Sequence, residues 1–254
     1  MSVLSAIKKG LEKPEKGAAT ATATLRDYMV VTWAVAEESL RPLVPESLPL
    51  DRLPGVDGTL YGFVQLTCAL HEATRWSPLP ENLGDSYHRA DVRVLVRPEG
   101  AGPGAFVLES YISAPGIVGA LFPVVKGADE GRFKLHVAGN PAQESFSSYT
   151  ARVSTDGVQV ELTAKSVETA KATAFGPWET LTPYLTQRLP HFWAARVGNG
   201  LTLIPTHHEP LTPLPGAVEN ATLKVLAGIS LGEAVAVHYQ SALPVTGYPP
   251  RAWK

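Results

Sequence analysis

The sequence has very little of several features that mark familiar protein classes. Cys68 is the single cysteine among 254 residues, so the chain cannot form an intrachain disulfide. No apolar run reaches the roughly 18 residues of a membrane-spanning helix, and the N-terminus lacks the apolar core of a secretory signal. These absences predict a cytoplasmic protein with no membrane partner.

An excess of charge of one sign is also absent. Lys and Arg together number 22 and Asp and Glu 24, which gives a formal net charge of -2. A chain this close to neutrality has no electrostatic reason to bind nucleic acid. Hydrophobic residues make up 44% and charged residues 18% of the chain, a composition typical of soluble globular proteins.

The short motifs of common enzyme classes are missing as well. The chain contains no G-x-S-x-G elbow, phosphate-binding P-loop, H-E-x-x-H helix or C-x-x-C pair. Cys68 ends an apolar run that begins at Phe63, which is typical of a buried and inert thiol. We therefore predict neither a metal nor a cofactor.

The segments that are present favour strands over helices. Thr-rich, Val-rich and aromatic-rich segments alternate with Gly, Pro, Asn and Asp turns, a spacing typical of antiparallel hairpins. After a helical arm or linker over residues 1–20, we predict a single domain over 21–254. Its strands are predicted to begin near Ala21 and to continue at Thr59–Ala69, Ala90–Arg97, Ala105–Ser113, Gly131–Val137, Ser145–Val153, Gly157–Ala164, Leu201–His208 and Ala234–Leu243.

Helical patterns are few. A short helix is expected from Glu38, and longer ones at Pro115–Lys126, Thr180–Leu189 and Glu219–Ala227. This is too little helix for a doubly wound sheet. The fold class predicted is therefore α+β and β-rich: a curved antiparallel β-barrel or cone with a few short helices at its ends.

The stretch PTHHEPL, residues 205–211, places two histidines beside a glutamate. If Leu201 to Glu209 is a strand, His207 and Glu209 share one face while His208 lies on the other. The two histidines cannot then chelate one metal by themselves, and a metal site would need ligands from elsewhere. A strand-end histidine with a hydrogen-bond partner inside the fold is the simpler interpretation.

Three further residues are candidates for chemistry. Arg93 lies opposite Val92 and Val94 on its strand, where it either holds a carboxylate or lies on a solvated face beside Asp91. His238 alternates with Tyr239, and the sequence leaves open which of the two faces inward. Lys126 follows an apolar segment, where it is either a nucleophilic amine or a lysine whose amine reaches water.

Three longer stretches stand out: VTWAVAEESLRPLVPESLPLD, LTQRLPHFWAARVGNGLTLIPTHHEPLTPL and GEAVAVHYQSALPVTGYPPR. In order and spacing they resemble the YqjF-like uncharacterised bacterial family of the acetoacetate-decarboxylase-like superfamily. The resemblance runs from about Tyr28 to Arg251, and its motifs are a "W-x-V" opening, "L-T-x-R", "H-x-P" and a closing "H-Y…P-P-R". It implies one curved antiparallel β-barrel or cone with a central cavity for a small anionic or carbonyl-bearing molecule.

The resemblance also implies which residues have a role. Arg93, Arg188, His208 and His238 match the family pattern, whereas Arg89, Gln187 and Leu211 replace a glutamate, an acid and a tryptophan. Related decarboxylases form a Schiff base on a lysine in a Phe-Pro-Lys-Lys segment. Here Val124 and Val125 follow Phe122-Pro123, and Lys126 comes one residue later.

The sequence thus predicts an acetoacetate-decarboxylase-like protein that binds a small anionic or keto-acid-like molecule in a barrel cavity, and it leaves open whether the protein is a lyase. His208, His238 and Lys126 are the predicted catalytic residues, and the predicted ligand-binding residues are Arg93, Arg188, His207 and Glu209. A non-catalytic binding protein on the same scaffold is the alternative, and a metal-dependent enzyme using His207, His208 or Glu209 a weaker one. The sequence leaves open whether the protein forms a homo-oligomer.

Overall fold

The computed structural model describes residues 19, 21–76, 85–113, 125–127, 133–140, 145–170, 172–187, 190–194 and 200–253. Strands dominate this part of the chain. The strands are β1 Ala21–Ala36, β2 Arg52–Pro54, β3 Leu60–Trp76, β4 Asp85–Val96, β5 Gly104–Ile112, β6 Val125–Gly127, β7 Phe133–Asn140, β8 Ser145–Thr155, β9 Gly157–Ser166, β10 Pro190–Ala194, β11 Leu201–His207, β12 Leu214–Leu223, β13 Ala234–Gly247 and β14 Arg251–Trp253.

Helices are short in the described ranges. Helix α1 spans Glu37–Leu40 and continues as a 3-10 turn over Arg41–Leu43, helix α2 spans Trp178–Thr186, and a second 3-10 turn covers Lys224–Leu226. No helix among the described residues is long and apolar enough to cross a membrane. The predicted helical arm lies outside the described residues, and the single domain over 21–254 stays a prediction.

All described strands belong to one 14-stranded sheet, which is curved and closes on itself in part. The strands β11, β10, β5, β4, β3, β1 and β13 follow one another, and β13 also pairs with β11, so that they form a ring. Its pairs are antiparallel except β10 with β5. The predicted β-rich α+β class, with a curved and mainly antiparallel sheet, is confirmed.

Strand pairing overrides two of the predicted helices. Residues 219–223 lie in β12, where Gly216 to Leu223 pair with Ser166 to Val160 of β9, so the helix predicted at Glu219–Ala227 is wrong. Val125 and Lys126 lie in β6 beside β5, so the helix predicted at Pro115–Lys126 does not extend that far. In both places hydrogen bonds to a strand distant in sequence decide the backbone, which a local helical pattern cannot reveal.

The two faces of the ring strands pack against different partners. Val64 of β3 and Val92 of β4 belong to a large apolar cluster with Tyr149 of β8 and Leu162 of β9. On the opposite face, Phe63, Leu95 and Ala236 pack against Leu181 and Leu185 of α2. Helix α2 thus covers part of the face that carries the odd-numbered residues of β4, and its C-terminal end lies beside the site described next.

Candidate functional site

Side chains from six of the seven ring strands meet at one cavity. Its volume is about 110 Å³, and α2 contributes Thr186 to its wall. Because six ring strands direct residues towards the same cavity, the strand face that lines this cavity is the inner face of the ring. The cavity is lined by Leu25, Tyr28, Thr67, Cys68, Ala69, His71, Arg89, Asp91, Arg93, Thr186, His191, Thr206, His208 and Val245.

Arg93 lies at the centre of the polar contacts. The side chain is only 3% exposed, and alternation along β4 directs it away from the apolar cluster that holds Val92 and Val94. Its Nε donates a hydrogen bond to Gln65 Oε1 at 2.9 Å, and Nη1 lies 3.2 Å from His191 Nε2. Nη2 is buried and has no hydrogen-bond partner among the described residues. Both N–H groups of Nη2 therefore lack an acceptor among the described residues.

Gln65 fixes the orientation of Arg93. It is completely buried on β3, directly opposite Arg93 in the register of the β3–β4 pair. Its Nε2 donates to Thr32 Oγ1 at 3.0 Å and to the carbonyl oxygen of Leu185 at 2.9 Å. Because both donors of this amide are engaged, its oxygen faces Arg93. Gln65 thus links the last turn of α2 to the guanidinium of Arg93 through hydrogen bonds.

His191 approaches from β10. Arginine nitrogens only donate hydrogen bonds, so His191 Nε2 accepts from Arg93 Nη1 and must be unprotonated. Strand β10 runs parallel to β5, with His191 opposite Ala105, and this pairing places the imidazole two strands away from Arg93 across the inner face. The contact joins residues 98 positions apart.

His208 is the histidine of the pair that lines the cavity. It follows the end of β11, on the same side as Thr206, and its Nδ1 lies 2.7 Å from the carbonyl oxygen of Glu209. A carbonyl only accepts, so Nδ1 carries the proton and Nε2 presents a lone pair. Burial lowers the pKa of His208, a shift that the Glu209 carbonyl opposes and the Arg93 charge reinforces. His208 is thus a neutral proton acceptor at pH 7.

A second charged group lies two residues before Arg93. Asp91 is 5% exposed and accepts hydrogen bonds from Ser110 Oγ at 2.5 Å and Arg89 Nε at 2.9 Å. Arg89 also lies over the ring of Trp193, with its Cζ 5.2 Å from the ring centroid. Among the described residues, the cavity lining therefore contains two arginines and one aspartate, which leaves one positive charge beside neutral histidines.

His71 completes the polar wall on β3. Its ring stacks on Tyr87 with centroids 4.9 Å apart. Burial, reinforced by the charge of Arg89, lowers the pKa of His71 to about 3. This imidazole is therefore neutral at physiological pH, and like His208 it can accept a hydrogen bond.

The structure does not bring every sequence-predicted residue to the cavity. His207 lies on the opposite face of β11, with its Nε2 3.7 Å from the carboxylate of Glu209, whose side chain is 84% exposed. Neither residue lines the cavity. The predicted alternation of the two histidines is thus present, and His208 is the one that faces inward.

His238 is buried under α2, away from the cavity. Its Nε2 lies 3.1 Å from Thr182 Oγ1, and its ring stacks on Trp178 with centroids 4.4 Å apart. Burial lowers the pKa of His238 to about 3. His238 does not line the cavity, so no contact with the cavity supports its predicted catalytic role.

Two predicted residues lie wholly or partly outside the described part. Arg188 falls between the described ranges 172–187 and 190–194. Lys126 is described only as backbone, in the short strand β6, where it pairs with Tyr111 of β5. Within the described residues, no group of three or more His, Cys, Asp and Glu side chains is arranged to hold a metal ion.

Sequence analysis also missed several residues of the site. The sequence places Asp91 on the same face as Arg93, two residues away, but does not single it out as a residue of the site. Gln65 is likewise on the polar face of its strand, but glutamines in apolar strands carry no local signal of function. His191 and Thr186 belong to the cavity only because β10 and α2 fold back onto the inner face.

Comparison with solved structures identifies proteins that share this fold. A crystal structure of acetoacetate decarboxylase from Legionella pneumophila superposes with a TM-score of 0.61 at 13% identity, covering 98% of this chain and 95% of that chain. The enduracididine biosynthesis enzyme MppR with HEPES buffer bound gives 0.60 at 12%, covering 94% and 89%. An acetoacetate decarboxylase-like enzyme from Sphingomonas wittichii RW1 gives 0.59 at 12%, covering 94% of each chain. Identities this low show a common fold and no more.

Sequence comparison gives the family. No curated protein matches the chain. The family DUF2071, described as an uncharacterized conserved protein (COG2071), matches residues 22–244, which is most of the chain. The predicted resemblance to an uncharacterised family with the acetoacetate-decarboxylase-like fold is confirmed. This chain belongs to the DUF2071 family and has the fold of the acetoacetate decarboxylases.

Proposed function

We propose that the cavity binds the anion of a small keto acid or a closely related carboxylic acid, with Arg93 as the group that holds the carboxylate. The observation that carries the proposal is that Arg93 lines the cavity and that its buried Nη2 has no hydrogen-bond partner among the described residues. A buried N–H group without a partner is costly, so the site favours a ligand that supplies an acceptor. Arginine suits this task because its charge-assisted hydrogen bonds to carboxylates are strong.

The size and charge of the cavity support the same class of ligand. A volume of about 110 Å³ corresponds to roughly four waters at about 30 Å³ each, which limits the ligand to a molecule as small as pyruvate or acetoacetate. The one positive charge that remains after Asp91 offsets one of the two arginines matches a monoanion. His208 Nε2 can then accept a proton from a ligand held at Arg93, such as an acidic C–H beside the carbonyl.

Isothermal titration with pyruvate and with acetoacetate tests the proposal. R93Q keeps a polar side chain but removes the charge and the terminal nitrogens, so we expect its affinity for both anions to fall about tenfold to a hundredfold. Arg152 of β8 is exposed and does not line the cavity, so R152Q is the matched control and should bind as the wild type does. Wild-type affinity retained in R93Q would contradict the proposal.

A lyase that works through a Schiff base is the second candidate. It is supported by the fold shared with acetoacetate decarboxylases and by the position of Lys126 in β6, beside the strand whose Ser110 contacts Asp91. Borohydride treatment with acetoacetate, followed by intact-mass analysis, would trap an adduct in the wild type and none in K126M. A wild type without an adduct would leave the non-covalent binding protein as the function of this cavity.

A further inference from the structure

We infer that Asp91 determines ligand specificity by accepting a hydrogen bond from a hydroxyl group of the bound acid, so that the cavity prefers hydroxy acids or enols over acids without a hydroxyl. The inference rests on the proposed function, because Arg93 must hold the carboxylate of the same ligand. It narrows the class of ligand from any small carboxylic acid to acids that carry a hydroxyl donor close to the carboxylate.

The position of Asp91 carries the first step. It lies two residues before Arg93 on β4, so the two side chains share the inner face and both line the cavity. Two residues along a strand correspond to about 6.7 Å between Cα atoms. A single small molecule held at Arg93 is therefore within reach of Asp91.

The hydrogen bonds of Asp91 carry the second step. Ser110 Oγ and Arg89 Nε both donate to Oδ1, and Asp91 makes no other hydrogen bond among the described residues. Oδ2 is thus the oxygen that remains for the cavity. The two bonds to Oδ1 also hold the carboxylate in one orientation, which lets Oδ2 discriminate between ligands.

Charge decides the kind of donor. An aspartate beside a site for anions would repel them, but the ion pair with Arg89, with side chains only 14% and 7% exposed, offsets that repulsion. An ammonium group of a ligand would meet Arg89 and Arg93 as well as Asp91. A neutral hydroxyl donor therefore suits Asp91 better than a cation does.

The test compares pairs of acids that differ by one hydroxyl group: lactate against propionate, and 3-hydroxybutyrate against butyrate. Dissociation constants are measured by isothermal titration or by ligand-observed NMR. The wild type should bind the hydroxy acid of at least one pair about tenfold or more tightly than its partner, because hydrogen bonds to charged groups are strong. D91N should reduce this preference to under about threefold, because the hydroxyl would no longer meet a charged acceptor.

A purely structural role for Asp91 predicts a different result. If Asp91 only positioned Arg89, D91N would weaken both acids of a pair equally and the preference would stay. Asp51 supplies the matched control, since it is a buried aspartate paired with Arg97 at 2.9 Å outside the cavity lining. D51N should keep the wild-type preference.

The outcomes separate this inference from the proposed function. Equal affinity of the wild type for both acids of each pair, with binding lost in R93Q, would overturn the role of Asp91 and leave the carboxylate site intact. No binding of any of the four acids, nor of pyruvate or acetoacetate, would overturn both. The wild-type preference can be measured without any variant, so an unfolded D91N protein would still leave the inference open to refutation.

Discussion

The guanidinium of Arg93, which lines the cavity, and the amide of Gln65, which does not, form one hydrogen-bonded unit. Arg93 Nε donates to Gln65 Oε1 at 2.9 Å, while Gln65 Nε2 is held by Thr32 and by the last turn of α2 through Leu185. The glutamine has no contact with the ligand in our proposal. It positions the arginine, whose side chain lines the cavity and whose Nη2 has no partner in the described part of the chain.

Replacing Gln65 should therefore weaken ligand binding without removing any group that touches the ligand. In Q65L the acceptor for Arg93 Nε and both donors disappear, so we expect the affinity for pyruvate to fall about tenfold. Q65E should also weaken binding, because a carboxylate beside Arg93 would compete with the ligand for its charge. Isothermal titration measures both effects.

Gln240 is the control for these variants. It is a half-buried glutamine whose Oε1 accepts from the backbone of Thr212, and it does not line the cavity. Q240L should bind pyruvate as the wild type does. Unchanged affinity in Q65L, with Arg93 shown to be essential, would mean that the guanidinium finds its orientation without the glutamine.

His208 and His207 form a matched pair for the proton-transfer step. His208 lines the cavity with an unprotonated Nε2, whereas His207 lies on the other face of β11. If His208 accepts a proton from the methyl group of bound pyruvate, the protein should catalyse exchange of that group with deuterium in D₂O. H208Q should slow the exchange by about a hundredfold, the usual contribution of a positioned base, and H207Q should not.

Proton NMR of the pyruvate methyl signal follows this exchange directly. Pyruvate binding should change little in H208Q, because Arg93 still holds the carboxylate. Equal exchange rates in the two variants would show that His208 is not the base, and exchange no faster than in buffer would show that the wild type does not perform this step.

Acid should destabilise the folded protein in part through His238. Burial lowers the pKa of His238 to about 3, whereas the unfolded chain binds a proton near the ordinary value of 6.5. Between these values the unfolded state binds more protons, so stability falls as the pH falls. Where the unfolded imidazole is fully protonated, the loss attributable to one such group is about 1.4 kcal/mol per pH unit.

Urea unfolding at several pH values between 7 and 4 measures this slope. H238Q removes the imidazole, so its free energy of unfolding should depend less steeply on pH than that of the wild type. H136Q is the control, because His136 lies on the exposed side of β7. Identical slopes in the wild type and H238Q would mean that His238 does not contribute to the acid sensitivity.

Gly104 should be required for the close approach of β10 to β5. A Cβ atom at Gly104 would lie 2.7 Å from the carbonyl oxygen of Pro190, closer than packing allows. We expect G104A to cost about 1–3 kcal/mol of stability and to weaken pyruvate binding, because His191 follows Pro190 on β10. Thermal unfolding and titration measure the two effects.

Gly247 provides the comparison for this substitution. A Cβ atom there would have its nearest neighbour at 3.5 Å, the Cβ of Ala21, which is an ordinary contact. G247A should unfold at nearly the wild-type temperature. A G104A protein as stable as G247A would show that β10 can shift without loss.

Several features of the fold and the site can be predicted from the sequence because they depend on local rules. The sequence pattern predicts a strand over Leu201–His208, and the observed strand ends one residue earlier, at His207. The opposite orientations of His207 and His208 follow from the two-residue period of a strand. The helix predicted at Thr180–Leu189 is present as α2. Pairing with β9 decided the conformation of residues 219–223, and their own pattern pointed to the wrong structure.

The sequence by itself determined which side chains share a face: Arg93 lies opposite Val92, and His208 lies opposite His207, since side chains alternate along any strand. Only the tertiary structure decided which groups meet across the ring. Gln65 reaches a carbonyl 120 residues away in α2, and Arg93 reaches His191 98 residues away. Such contacts depend on how the sheet closes and where α2 packs, and those are set by burial of apolar surface over the whole chain, which no short stretch of sequence records.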